Sequence, residues 1–132
     1  MNGTALSVSG VDDAANALLA TGFPFKAGKG NPPIYFDLVE ELVLTTHGVR
    51  RAGSAALDLA FVAAGRLDGY FELGLSSWDV AAGILLVTEA GGSVTGWPGD
   101  SESPLRTGRL LASNGRIHQW LQDATGKYVS RI

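Results

Sequence analysis

Ser76–Gly92 reads SSWDVAAGILLVTEAGG, and its apolar residues recur at helical spacing. Val80, Ile84 and Val87 fall three and four residues apart, with Ala81, Leu85 and Thr88 on the adjoining line. Ser76 or Ser77 can cap the start. Asp79 stands three residues after Ser76, an acidic form of the capping box. Gly91-Gly92 ends the helix, because the residue just past a helix often needs positive φ. The stretch therefore predicts a short, close-packing helix with one carboxylate at its positive end. Asp79 has two readings here. A first-turn acid stabilises a helix by up to about 1 kcal/mol. It also follows Trp78 and an expected strand, Asp68–Leu73, and a carboxylate where a strand hands over to a helix is placed to meet a ligand.

Downstream, Ser93–Trp97 reads as a strand, Pro98–Thr107 as a polar loop and Arg109–Ala112 as a final strand. Ser113-Asn114 is expected to cap a last helix through about Ala124. Upstream, Ser54 can cap AALDLAFVAA, a helix closed by Gly65 whose apolar residues surround it, so that it reads as buried. Val49–Gly53 reads as a connecting segment. Ile34, Leu38 and Leu42 repeat at four, which predicts a helix from about Pro33 to Thr46, with proline tolerated in the first turn. Pro24–Pro33 is a loop by composition, Leu18–Phe23 a buried strand and Asp12–Asn16 a turn. Asn2-Gly3 is a turn signal before an expected strand, Thr4–Val8. That opening suggests a chain that begins between two strands of something longer. The tally of five short strands and four helices, mostly alternating, predicts an α/β fold: a mixed, largely parallel sheet flanked by helices.

The 132 residues make one domain, 45% hydrophobic, 17% charged and containing 18 glycines. Against roughly 25% charge in an average domain, this suggests a face packed on a partner. A net charge of −3 argues against nucleic acid. The absence of Cys excludes disulfides and thiolate metal sites and suits a reducing compartment such as the cytoplasm. No apolar run is long enough to span a membrane, and no secretory signal is visible at the N-terminus.

Most motifs fail on inspection. Gly28-Lys29-Gly30 would need a glycine where Pro33 stands to be a dinucleotide loop. A phosphate loop from Gly22 would need glycine where Ala27 stands. His47 and His118 have no partner at metal spacing, so both read as structural. No Gly-x-Ser-x-Gly elbow occurs. Glu40-Glu41 point in different directions on a helix and read as a solvated face. Two features survive. Gly53-Ser54-Ala55 lies at a helix N-terminus, where free N–H groups either bind an oxygen-rich or anionic ligand or sit behind an ordinary serine cap. Glu72, seven residues before Asp79 near a strand end, is either a cleft carboxylate or a surface acid.

Taken together, GSAALDLAFVAAGRLDGYFELGLSSWDVAAGILLVTEAGG resembles the second half of the inositol monophosphatase family, with WDVAAG…LLVTEAGG matching its C-terminal signature. LLATGFPF, GVRRAGSAALDLAFVAAGRLDGYFE and LLASNGRIHQWL stand in the family's order, and NGTALSVS resembles the strand after its central turn. The resemblance implies a magnesium-dependent hydrolase of phosphate monoesters of inositol and related sugars or polyols. It implies that Asp79 is a metal ligand, that Glu72 hydrogen-bonds a substrate hydroxyl, and that Gly53, Ser54 and Ala55 line the substrate pocket.

The family's Asp-Pro-x-Asp-Gly-Thr signature and its Gly-Gly…Glu-Glu element are absent; Asp68-Gly69-Tyr70 is the nearest fragment. Those elements carry most of the metal ligands. Magnesium takes about six oxygens, and Asp79 alone would hold it weakly. The expectation is a single domain, residues 1–132, resembling the C-terminal half, with the N-terminal metal-binding half absent and no useful activity alone. Its partner would be that missing half, or a second copy through an exposed face. The alternative is a non-catalytic ligand-binding or protein-interaction module derived from the same fold.

Overall fold

The computed structural model describes residues 1–23 and 30–132; the Gly28-Lys29 motif and most of the expected Pro24–Pro33 loop lie outside them. Two short apolar strands, β1 (Leu18–Thr21) and β3 (Gly69–Glu72), run parallel at the middle of a five-stranded sheet. β2 (Gly48–Arg50) pairs parallel on the outer side of β1. β5 (Leu110–Ser113) pairs antiparallel with β3 and then with β4 (Ser93–Thr95), giving the order β2-β1-β3-β5-β4. The sheet is mixed, as expected, with two of its four pairings parallel.

Side-chain alternation along each strand divides the core into two layers. Leu19, Phe71 and Leu111 face α1 (Pro32–Thr45) and α5 (His118–Gly126), joined there by Tyr35, Leu38, Leu42, Trp97 and Leu121. Ala20, Tyr70, Leu110 and Ala112 face α2 (Ala55–Ala63) and α3 (Ser77–Glu89), against Leu59, Val62, Val80 and Val87. Because Glu72 lies two residues beyond Tyr70, it falls on the α2/α3 side, at the carboxyl end of β3.

The helix read from Ser76–Gly92 is present, and its capping box forms: the backbone N–H of Ser76 donates to Asp79 Oδ2 at 2.9 Å. Gly83, in its interior, costs about 1 kcal/mol of helix propensity. A Cβ there would stand 2.5 Å from Leu59 Cδ1 and 2.6 Å from Leu59 Cβ. The glycine therefore lets α2 and α3 approach closely.

Several expectations are corrected. Thr4–Val8 is not a strand; Val8 donates one backbone hydrogen bond to Ala90, and no ladder forms. The fifth strand is instead Gly48–Arg50, three residues on the sheet edge that overlap the start of the expected connection. α2 is buried on one side only: Leu59, Val62 and Ala63 are covered, but Leu57 is 54% exposed. The loop after Pro98 contains a one-turn helix, α4 (Pro104–Thr107), capped by Ser103. α5 begins four residues later than Asn114, whose Oδ1 accepts from the backbone N–H of Arg116 and Ile117 and turns the chain into it.

Glu41 is not part of a solvated face. It accepts from Lys127 and from the Tyr128 hydroxyl, pinning the C-terminal tail to α1. His118 is buried between Thr95 Oγ1 (2.9 Å) and Ser113 Oγ (2.8 Å), in keeping with a structural role. Among the described residues no helix is long and apolar enough to cross a membrane.

Candidate functional site

The carboxyl ends of β1 and β3 open toward the N-termini of α2 and α3. Between them lies a cavity of about 300 Å³. All five residues singled out from the sequence, Gly53, Ser54, Ala55, Glu72 and Asp79, line it. Two helix N-termini thus reach one space, and the first N–H groups of each helix have no intrahelical acceptor.

Gly53 adopts φ +93°, a conformation that favours glycine, and brings the chain into α2. Ser54 Oγ accepts from the Leu57 N–H at 3.3 Å, so its side chain is an N-cap whose O–H is not used by that bond. Asp79 is half-buried, and one of its oxygens is taken up by the Ser76 N–H.

Glu72 is held at two points. Its backbone carbonyl accepts from Trp97 Nε1 at 3.3 Å. Its Oε2 accepts from the buried Tyr70 hydroxyl. Its Oε1 lies over Gly22, where a Cβ would stand 1.4 Å away, so a side chain at position 22 would displace the carboxylate from this position. Burial pushes the Glu72 carboxyl above its ordinary range, against the hydrogen bond from Tyr70.

Sequence reading missed several of the lining residues, among them Gly22, Arg51, Asp58 and Tyr70. Asp58 is a lone acid inside an otherwise apolar helix, and that was its signal. Tyr70 is two residues before Glu72 and shares its face, a period-two relation that strand alternation carries. Gly22 and Arg51 left no local signal, because their roles depend on neighbours distant in sequence.

Burial raises the Asp58 carboxyl to about 6, against the opposing charge of Arg51. The folded chain therefore binds more protons at Asp58 than the unfolded chain between its ordinary value and about 6. This contribution to stability falls as pH rises through that window. Glu72 acts in the same sense, whereas His118, pushed down by burial, acts in the opposite one. The test is thus a difference. Between about pH 4 and about pH 6.5 the thermal midpoint of Asp58→Asn should gain on that of the wild type as pH rises. Parallel curves would rule this out.

These residues do not by themselves make a magnesium site. Among the described residues no three of His, Asp and Glu converge as metal ligands. Asp79 already serves its helix cap, and one Glu72 oxygen is taken up by the Tyr70 hydroxyl.

A cleft outside the carboxyl ends of sheet strands, faced by helix N-termini, is the candidate site of this α/β protein. Residues 1–130 match the model of the inositol monophosphatase family, and the chain belongs to that family. It is 50% identical over 122 residues to the Nus factor SuhB of Pseudomonas aeruginosa, covering 92% of this chain and 45% of that protein. It is 46% identical over 127 residues to an inositol-1-monophosphatase of Synechocystis, covering 94% of this chain and 42% of that one. Among solved structures, the inositol monophosphatase of Anabaena superposes with a TM-score of 0.85 at 44% identity, over 96% of this chain and 50% of that one. The suhB protein of Bartonella henselae superposes with a TM-score of 0.87 at 40% identity, over 96% and 48%. The chain spans about half the length of the relatives it matches.

Proposed function

We propose that this chain forms the substrate-side wall of a magnesium-dependent phosphate monoester hydrolase of the inositol monophosphatase type, acting on an inositol phosphate or a related polyol or sugar phosphate. The observation that carries this reading is the convergence of Glu72, Asp79 and the Gly53–Ala55 turn on one cavity. In it, Glu72 accepts a substrate hydroxyl, the N-terminus of α2 lines the pocket, and Asp79 contributes one metal ligand. The remaining ligands lie outside these 132 residues, and residues 1–132 alone do not turn over substrate. The partner surface in this reading is the outer side of α2 and α3, where Leu57, Trp78 and Leu85 are 54%, 83% and 60% exposed. Either the metal-binding half or a second copy of the chain would cover it.

The test is a hybrid. Residues 1–132 replace the matching segment of the Synechocystis enzyme, and phosphate release from inositol 1-phosphate is measured with magnesium. The 132-residue chain alone is expected to release none. The hybrid is expected to release phosphate and to lose more than about 100-fold in rate with Asp79→Asn, since even outer-shell partners of a metal are worth 10–100-fold. A cooperatively folded hybrid without turnover, beside an active parent enzyme, would sink the hydrolase reading.

A second reading, a non-catalytic binding or interaction module, is favoured by the lack of a three-ligand metal cluster among the described residues and by the relatives called Nus factor. Those names also leave the expectation of no nucleic-acid partner, drawn from net charge, without support.

A further inference from the structure

Tyr70 has no assigned part in the site, yet its placement answers a physical question that Glu72 raises. A half-buried carboxylate on a flexible side chain has several rotamers open to it and would lose entropy on meeting a ligand. Here Glu72 has little such freedom. Its main chain is tied at the carbonyl by the Trp97 indole. The hydroxyl of Tyr70, a residue 1% exposed and packed beneath α2 and α3, donates to Oε2. Oε1 occupies the space that any side chain at position 22 would fill. Tyr70 lies within β3 and Gly22 directly follows β1, its parallel neighbour, so the sheet places both beside the carboxylate.

We propose that Tyr70 is a positioning residue, which by holding Glu72 Oε2 presents Oε1 over Gly22 as a pre-set acceptor for a hydroxyl of a polyol ligand. This rests on the reading of Glu72 as the residue that meets a substrate hydroxyl. It goes further in assigning the two carboxylate oxygens different tasks and in making the acceptor's geometry depend on a buried phenol. Removing the phenol hydroxyl leaves the ring's packing in place and frees the carboxylate to rotate. The loss is then one of ligand affinity.

The experiment is titration of the full 132-residue chain with myo-inositol, followed by the amide signals of Gly22 and Glu72 in NMR spectra. Wild type, Tyr70→Phe, Glu72→Gln and the double variant are compared, with thermal melts to establish that each is folded. Tyr70→Phe is expected to weaken binding up to about tenfold, the range of one net hydrogen bond. The double variant should bind no worse than Glu72→Gln alone, because Tyr70 acts through Glu72. A purely structural tyrosine would give additive losses or none, and either result overturns the proposal, as does a wild-type chain that shows no saturable shift with inositol. The titration contains neither phosphate nor metal, so it is separable from the hybrid assay. A hybrid without turnover, beside Tyr70-dependent inositol binding, sinks the hydrolase reading alone. A hybrid with turnover but Tyr70-independent binding sinks this one alone.

Discussion

Trp97→Ala is expected to destabilise the chain by about 3–5 kcal/mol, the range for deleting a large buried aromatic. Trp97 is 1% exposed and is among the largest fully buried side chains. Its ring stacks on Tyr35 at a centroid distance of 6.3 Å, and the Arg109 guanidinium lies 5.8 Å over it. Its Nε1–H donates to the carbonyls of both Glu72 and Leu110, each at 3.3 Å. Those two residues are register partners at the end of the β3/β5 pairing, so the indole clamps the sheet where the cavity begins. Against a total stability of about 5–15 kcal/mol, the alanine variant should be marginal or unfolded at ambient temperature. Urea denaturation measures it. A loss below about 1 kcal/mol would mean that the core closes over the gap, contrary to the close packing inferred here.

Gly83→Val is expected to cost about 3 kcal/mol, at the upper end of ordinary overpacking. The added Cβ meets Leu59 at both Cδ1 and Cβ, and the second contact matters more. A Cβ is fixed to the backbone, so relief requires α2 and α3 to move apart rather than one rotamer to change. Gly83→Ala sets a gain of about 1 kcal/mol in helix propensity against the same overlap. It should therefore fall well short of the valine variant's loss. Denaturation midpoints of the two variants decide it. Valine at wild-type stability would show that the α2–α3 contact is loose.

The two variants lie in different layers of the core, and that separation explains which parts of the fold were legible. The helices were read well because their signals are local. Ser54 caps α2 three residues from Leu57, and Ser76 and Asp79 close a box within one turn. Strands were read less well at the edges. Gly48–Arg50 is three residues long and partly exposed, so it carries no alternation to detect. Thr4–Val8 has strand composition but, among the described residues, meets the rest of the chain through a single backbone bond, from Val8 N–H to the Ala90 carbonyl, so no ladder forms. Glu41 looked solvated because Lys127 and Tyr128, which bind it, are 86 and 87 residues away.

The candidate site divides in the same way. Glu72, Asp79 and Gly53–Ala55 were visible because each sits at a strand end or a helix start, and local pattern marks such places. Asp58 was visible as a letter but not as a wall of the cavity.

By itself the sequence determined the helix of Ser76–Gly92, its cap, the mixed α/β class and the family. Each depends on residues a few positions apart or on the order of whole motifs. Only the tertiary structure decided that Glu72 lies over Gly22 and under the hydroxyl of Tyr70, and that Gly83 meets Leu59. Those relations are set by parallel pairing of β1 with β3 and by the crossing of two helices, and contacts across elements leave no period in the chain to read.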